Sequence, residues 1–214
     1  MMFSMVQNAR LLLCYVLAYG LSVTLAGAIK AWIAKKIGDN TAEYAGFLTL
    51  DPLVHVDVLG LVALLFTGFG WGSEVPVDIY NIRYPFRDLK ILLLYYIQTI
   101  LHILFASIAI LSYAGIEVSQ VMYIGQTAVG ATLKIVLQGL INVNIFLAML
   151  RFIQASMDLI CMHLIERDPA SIMYIRLGSL VVSLIILLLI GTQMQLFFAN
   201  ISSMLARLIL RAIV

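Results

Sequence analysis

Few side chains in this sequence could ligate a metal or move a proton: three histidines, two cysteines and eleven carboxylates among 214 residues. Metal-assisted hydrolysis from a helix needs two imidazoles at i and i+4 and a glutamate beside the first as general base. It also needs a third ligand from elsewhere. His55, His102 and His163 include no pair at that spacing. Asp158-x-x-Cys161-x-His163 gathers three ligand types, but at a spacing that matches no zinc pattern. Cys14 and Cys161 carry no framework spacing and are expected at opposite membrane faces, which argues against a bridge.

A second group of polar residues follows a helical period. Gln126, Gly130, Lys134, Gln138 and Asn142 recur every four residues, so they share one helix face. Lys134 falls about twelve residues into an apolar run, near mid-depth at ~1.5 Å per residue. A lysine there costs roughly 3 kcal/mol on insertion scales and is expected to face protein or water. His102, in the preceding run, is expected at comparable depth. The stripe either packs inside the protein's own bundle or docks a span of another subunit. An ion or proton path through His102 and Lys134 is a further alternative, but it lacks a carboxylate relay and internal repeats.

The elements that position these residues are read from hydropathy. With 63% apolar and 11% charged residues and a mean hydropathy of +1.06, the chain is read as an all-α polytopic membrane protein in one domain, 1–214. A soluble domain would carry about 25% charged residues. Spans of about 20 apolar residues are expected at 11–29, 91–115, 121–150 and 177–199. The run 58–71 is short for a crossing and ends in Gly68-Phe69-Gly70-Trp71-Gly72, which suits a re-entrant or interfacial segment. Charged loops are expected over Lys30–Asp57 and Ser73–Lys90, a loop or partly helical segment over Arg151–Arg176, and a short turn around Glu117. The tail, 197–214, places Asn200, Ser203, Arg207 and Arg211 among apolar residues and reads as an amphipathic surface helix. The N-terminal run is too long for a signal peptide and lacks a small-x-small exit.

Charge sets an orientation. If 58–71 re-enters, Lys30, Lys35, Lys36, Arg83, Arg87, Lys90, Arg151, Arg167 and Arg176 share one side, against Arg10, Arg207 and Arg211 on the other. The positive-inside rule makes the loop side cytoplasmic. No basic patch interleaved with aromatics speaks for nucleic acid.

Several segments in order carry a family likeness. Ala26-Gly27-Ala28-Ile29-Lys30 leads into Ala31-x-x-Ala34-x-x-x-Gly38-Asp39, and Leu48-Thr49-Leu50-Asp51-Pro52-Leu53-Val54-His55-Val56-Asp57-Val58-Leu59-Gly60 follows. Glu74-Val75-Pro76-Val77-Asp78, Asn81-Ile82-Arg83 and Pro85-Phe86-Arg87-Asp88 come next, then Ile141-Asn142-Val143-Asn144. This succession resembles the small bacterial members of the site-2 protease family, zinc metalloproteases that cut within membranes. The resemblance implies that family's helical bundle and a bacterial inner membrane.

It also marks where the chemistry is missing. HExxH in the family corresponds here to Ala26, Gly27 and Lys30, which neither ligate zinc nor act as its base. Leu94-Tyr95-Tyr96-Ile97-Gln98 stands where an Ala-Gly-Pro-x-x-Asn element is expected. Asp158 is the relic of a third ligand that has lost its flanking prolines and glycine. The resemblance therefore implies an inactive pseudoprotease with no metal and no cofactor. Its expected role is a structural or binding subunit of a membrane protein complex, in contact with other membrane subunits and the bilayer. A rebuilt enzyme around Asp158, His163 or Lys134 is the alternative.

Overall fold

The computed structural model describes residues 9–120 and 128–167, with 174, 177–185, 189, 193, 200 and 204. The described residues form helices joined by loops, and the one β pairing among them is an isolated bridge between Val56 and Gly72. Three helices are long and apolar enough to cross a membrane. They are α1 (Ala9–Lys36), α5 (Arg87–Gln120) and α6 (Ala128–Arg167). Between α1 and α5 lie α2 (Thr41–Tyr44), α3 (Pro52–His55), α4 (Val58–Thr67) and a 3-10 turn, Ile79–Asn81. The protein is an all-helical polytopic membrane protein.

Helix α1 runs past the expected end at Ile29 to Lys36, so Lys30, Lys35 and Lys36 are helical. Ala28, Ala31 and Ala34 favour continuation, and lysines in the last turn complement the C-terminal partial charge. Gly38, at a φ of 106°, ends the helix in the left-handed region. The turn expected at Glu117 lies inside α5, which continues to Gln120. Likewise α6 does not stop at Leu150 but continues to Arg167, so the segment expected as loop or partly helical begins as helix. Residues 177–185 are helical, whereas most of the expected fourth span and of the tail lies outside the described residues.

Helices α5 and α6 pair antiparallel, with His102 beside Asn144 and Tyr113 under Lys134. Ala106, Ala109 and Ile110 pack there on Leu137, Ile141 and Ile145. Helix α1 runs parallel to α6, burying Tyr15, Tyr19 and Val23 against Val143, Phe146, Leu147 and Leu150. These directions gather the C-terminal end of α1, the start of α5 and the second half of α6 at one end of the bundle.

The 56–73 segment is a hairpin packed against that bundle, with Gly60 and Leu64 of α4 buried and Val58, Leu59 and Phe66 exposed. Asp57 accepts from the Gly60 amide at 2.7 Å and starts α4, while Gly68 closes it in the left-handed region. The return strand presses on the helix so closely that a Cβ on Gly60 would meet the Trp71 carbonyl oxygen at 1.9 Å. At the mouth the Ser73 amide donates to the His55 carbonyl at 2.8 Å. Its ends meet, so the segment turns the chain back on itself. Ten residues of helix reach ~15 Å, about half of a hydrocarbon core. The tip is packed, with Phe69 stacked on Phe146 at 4.6 Å.

Candidate functional site

Where α1, α5 and α6 meet the hairpin mouth, they enclose a cavity of about 730 Å³. Its charged and polar wall comprises Lys30 from α1, Gln98 from α5, Arg151 and Asp158 from α6, and Asp57 and Glu74 from the hairpin's flanks. Lys30 and Asp158, 128 positions apart, thus line one space. Leu94, Tyr95 and Gln98 line it too, so three segments singled out by the resemblance converge.

The other two positions that the resemblance aligned with HExxH face elsewhere. Ala26 is fully buried against Ile97 and Leu101 of α5. Gly27 lies under His55, and a Cβ at 27 would stand 2.3 Å from its Nδ1. His55 is 1% exposed. Its Nε2 is 2.9 Å from the Thr49 carbonyl, which can only accept, so Nε2 carries the proton. Phe47 meets the ring edge-on at 5.6 Å, and Nδ1 is buried without a hydrogen-bond partner.

Arg151 organises the cavity wall. One of its terminal nitrogens donates to the Gly72 carbonyl at 2.8 Å and to that of Ser73 at 3.4 Å, and the other to Gln154 at 3.2 Å. Glu74, Asp158 and Asp57 supply the opposing charge. Arg151 therefore pins the hairpin mouth to α6. Reading it as a loop residue missed this role. The signal was available: Asn144, Ala148, Arg151, Ala155 and Asp158 alternate by four and three, and all five are buried.

Outside the cavity, Asp39 is fully buried and clamps two loops together. It accepts from the Thr41 amide at 3.0 Å, the Thr41 hydroxyl at 2.5 Å, the Asp78 amide at 2.9 Å and Asn81 Nδ2 at 3.0 Å. Burial pushes its carboxyl up, but the bonds from Thr41, Asn81 and Asp78 outweigh it and hold the group below its ordinary value.

The stripe on α6 is partly engaged within the bundle. Asn142 donates to the Tyr15 hydroxyl of α1 at 2.7 Å, and Gln138 donates to Asn142 at 3.1 Å. Gly130 is buried, and Lys134 sits 5.9 Å from the Tyr113 ring centroid. Gln126 lies outside the described residues, as do the side chains of Cys161 and His163. His102 is bonded to Asn144 at 2.8 Å, and Asn144 donates on to Ser22 at 2.8 Å. Asn144 stands ten residues beyond Lys134, ~15 Å along α6, so His102 and Lys134 do not share the depth the sequence suggested.

A zinc ion does not fit the donors present at the cavity. At the two expected imidazole positions stand a methyl group and a lysine, and the carboxylates on the wall, Asp57, Glu74 and Asp158, surround the Arg151 guanidinium. Among the described residues no group of three His, Cys, Asp or Glu side chains is placed to hold a metal ion.

No family model matches the chain, and no solved structure does. Over 57 residues the chain is 42% identical to a Bacillus subtilis (strain 168) protein named "Putative zinc metalloprotease YwhC". That stretch is 27% of this chain and 26% of the relative, so the likeness spans about a quarter of either protein.

Proposed function

We propose that this protein is a non-catalytic, site-2-protease-like membrane protein that serves as a structural or binding subunit of a membrane complex. Its cavity holds a segment of a partner where a protease would hold substrate. The observation that carries this reading is the placement of Lys30 and Asp158 on one cavity wall while His55 covers Gly27. Lys30 stands where a zinc ligand is expected, Asp158 shares its cavity with the Arg151 guanidinium, and an imidazole fills the room a catalytic side chain would need. The partial likeness to a metalloprotease supports the ancestry. A bacterial inner membrane with the charged loops cytoplasmic belongs to the same proposal, supported by the basic residues gathered at one end of the bundle.

The test is extraction in a mild detergent, followed by native mass and identification of co-purifying chains. Stoichiometric membrane partners are the expected result. A lone monomer that cleaves a membrane-embedded reporter, and loses that activity on chelation, would refute the proposal.

A further inference from the structure

The outward faces of the helices measure the bilayer. On α1 the exposed Leu13, Leu17 and Leu21 stand at four-residue steps, and Trp32, 53% exposed, ends the face. Exposed Arg10 and Lys36 bound it. Leu13 to Trp32 spans ~28 Å and Arg10 to Lys36 ~39 Å, against ~30 Å of hydrocarbon and ~40–45 Å of whole bilayer. Trp32 and Lys36 therefore stand at one interface, with the ammonium 5.5 Å from the ring centroid.

Helix α5 gives the same level independently. Exposed Leu89, Leu92 and Leu93 begin its apolar face. Lys90 turns its ammonium back toward the loop and donates to the Arg83 carbonyl at 3.1 Å, as a snorkelling side chain does. Beside it the loop exposes Tyr80, Tyr84 and Phe86 by 66%, 86% and 73%, and Arg83 is exposed as well. Ile82 packs with Ala34, Ile91 and Leu94, which lays this loop across the ends of α1 and α5.

Most carboxylates at this end are engaged elsewhere. Asp51, Asp57 and Asp78 each accept from a backbone amide at the start of a helix or turn, Asp39 holds its clamp, Glu43 pairs with Lys35 at 2.6 Å, and Glu74 and Asp158 face Arg151. Asp88 is exposed in the first turn of α5, where it complements the helix's N-terminal charge. Arg83, Arg87 and Lys90 outnumber it beside the exposed aromatics. We infer that this rim, built on Trp32, Lys36, Arg83, Tyr84 and Phe86, binds the headgroups of anionic phospholipids.

The 214-residue chain is reconstituted in nanodiscs of equimolar phosphatidylcholine and phosphatidylglycerol, and the lipids it retains on partial delipidation are identified by native mass spectrometry. Phosphatidylglycerol is expected to be enriched, with the preference falling about five-fold for each charge removed in Lys36→Gln and Arg83→Gln. Arg10→Gln, at the opposite end, should leave the enrichment unchanged, and raised salt should weaken it. Retention at the bulk lipid ratio overturns the inference. So does full enrichment in the doubly substituted protein, or loss of the preference on adding inorganic phosphate, which would assign the rim to free anions.

Discussion

Replacing Gly27 with alanine adds one methyl group to α1 at a point where the room is taken. The new Cβ would lie 2.3 Å from His55 Nδ1, 2.9 Å from Cε1 and 3.2 Å from Cγ. The ring has little freedom to retreat, because Thr49 holds Nε2 and Phe47 closes on its edge. Overpacking of this kind costs about 1–3 kcal/mol. If the ring is expelled, its hydrogen bond adds about 1 kcal/mol. Against these, alanine gains about 1 kcal/mol over glycine in a helix interior. The net is a destabilisation of about 1–3 kcal/mol. For a chain of this size each 1 kcal/mol moves the unfolding midpoint by about 2–4 °C.

Gly20 on the same helix supplies the control, since a Cβ there meets nothing within 4 Å. Thermal unfolding in detergent should show Gly20→Ala neutral or stabilised and Gly27→Ala lowered. The Gly27→Ala penalty should shrink in a His55→Ala background, with a coupling of about 1–3 kcal/mol in the double-mutant cycle. A Gly27→Ala protein as stable as Gly20→Ala, with no coupling to position 55, would refute the seating of His55 on Gly27.

Four other outcomes are expected. Arg151→Met should lower stability by about 3–5 kcal/mol, because it strands the buried Asp158 carboxylate and the Gly72 carbonyl; hydrogen exchange over 56–73 should rise most, and unchanged exchange there would refute the latch. Asp39, held below its ordinary value, should contribute in full above about pH 4 and lose its contribution as pH falls through the lower folded value. Asp39→Asn should therefore flatten the acid side of the stability profile, and an unaltered acid limb would remove Asp39 from that account. Lys134→Leu should leave membrane insertion intact and, where the α6 stripe docks a partner's span, release that chain; a complex that survives unchanged assigns the stripe to packing within the bundle. Ala26→His, Gly27→Glu and Lys30→His together should not restore proteolysis, since the glutamate stem introduced beside His55 would collide with its ring and Asp158 would still lack its neighbours; cleavage by that triple variant would overturn the placement of the site.

Hydropathy located the parts of this fold that repeat along the chain. Apolar runs marked the three long helices, and the shortness of 58–71 with its glycines pointed to a segment that turns back. The helix ends were read less well for one physical reason. Charged residues were taken as loop markers, whereas a charge ends a helix only when it finds no partner within reach. Lys30 is buried yet borders a cavity with carboxylates on its wall, and Arg151 is satisfied by the carbonyls of Gly72 and Ser73. Both remain helical, and the helices outrun their apolar windows.

The candidate site was legible to the extent that family motifs in order implied neighbours. Lys30, Gln98 and Asp158 line one cavity, and Asp39 accepts from Asn81 across the two loops that carried the likeness. Contacts that depend on close approach left no trace in spacing. His55 reaches Gly27 only because residue 27 has no side chain, and His102 pairs with Asn144 only because α5 and α6 are antiparallel with this register. A single sequence registers a glycine and a histidine separately; their fit depends on distances of tenths of an ångström. That fit also bears on the proposed function, because a glutamate introduced at 27 would lack the room a catalytic side chain needs. The space is filled by a ring anchored at Thr49, so the absence of a side chain at position 27 and the seating of the 47–57 loop are one feature and not two.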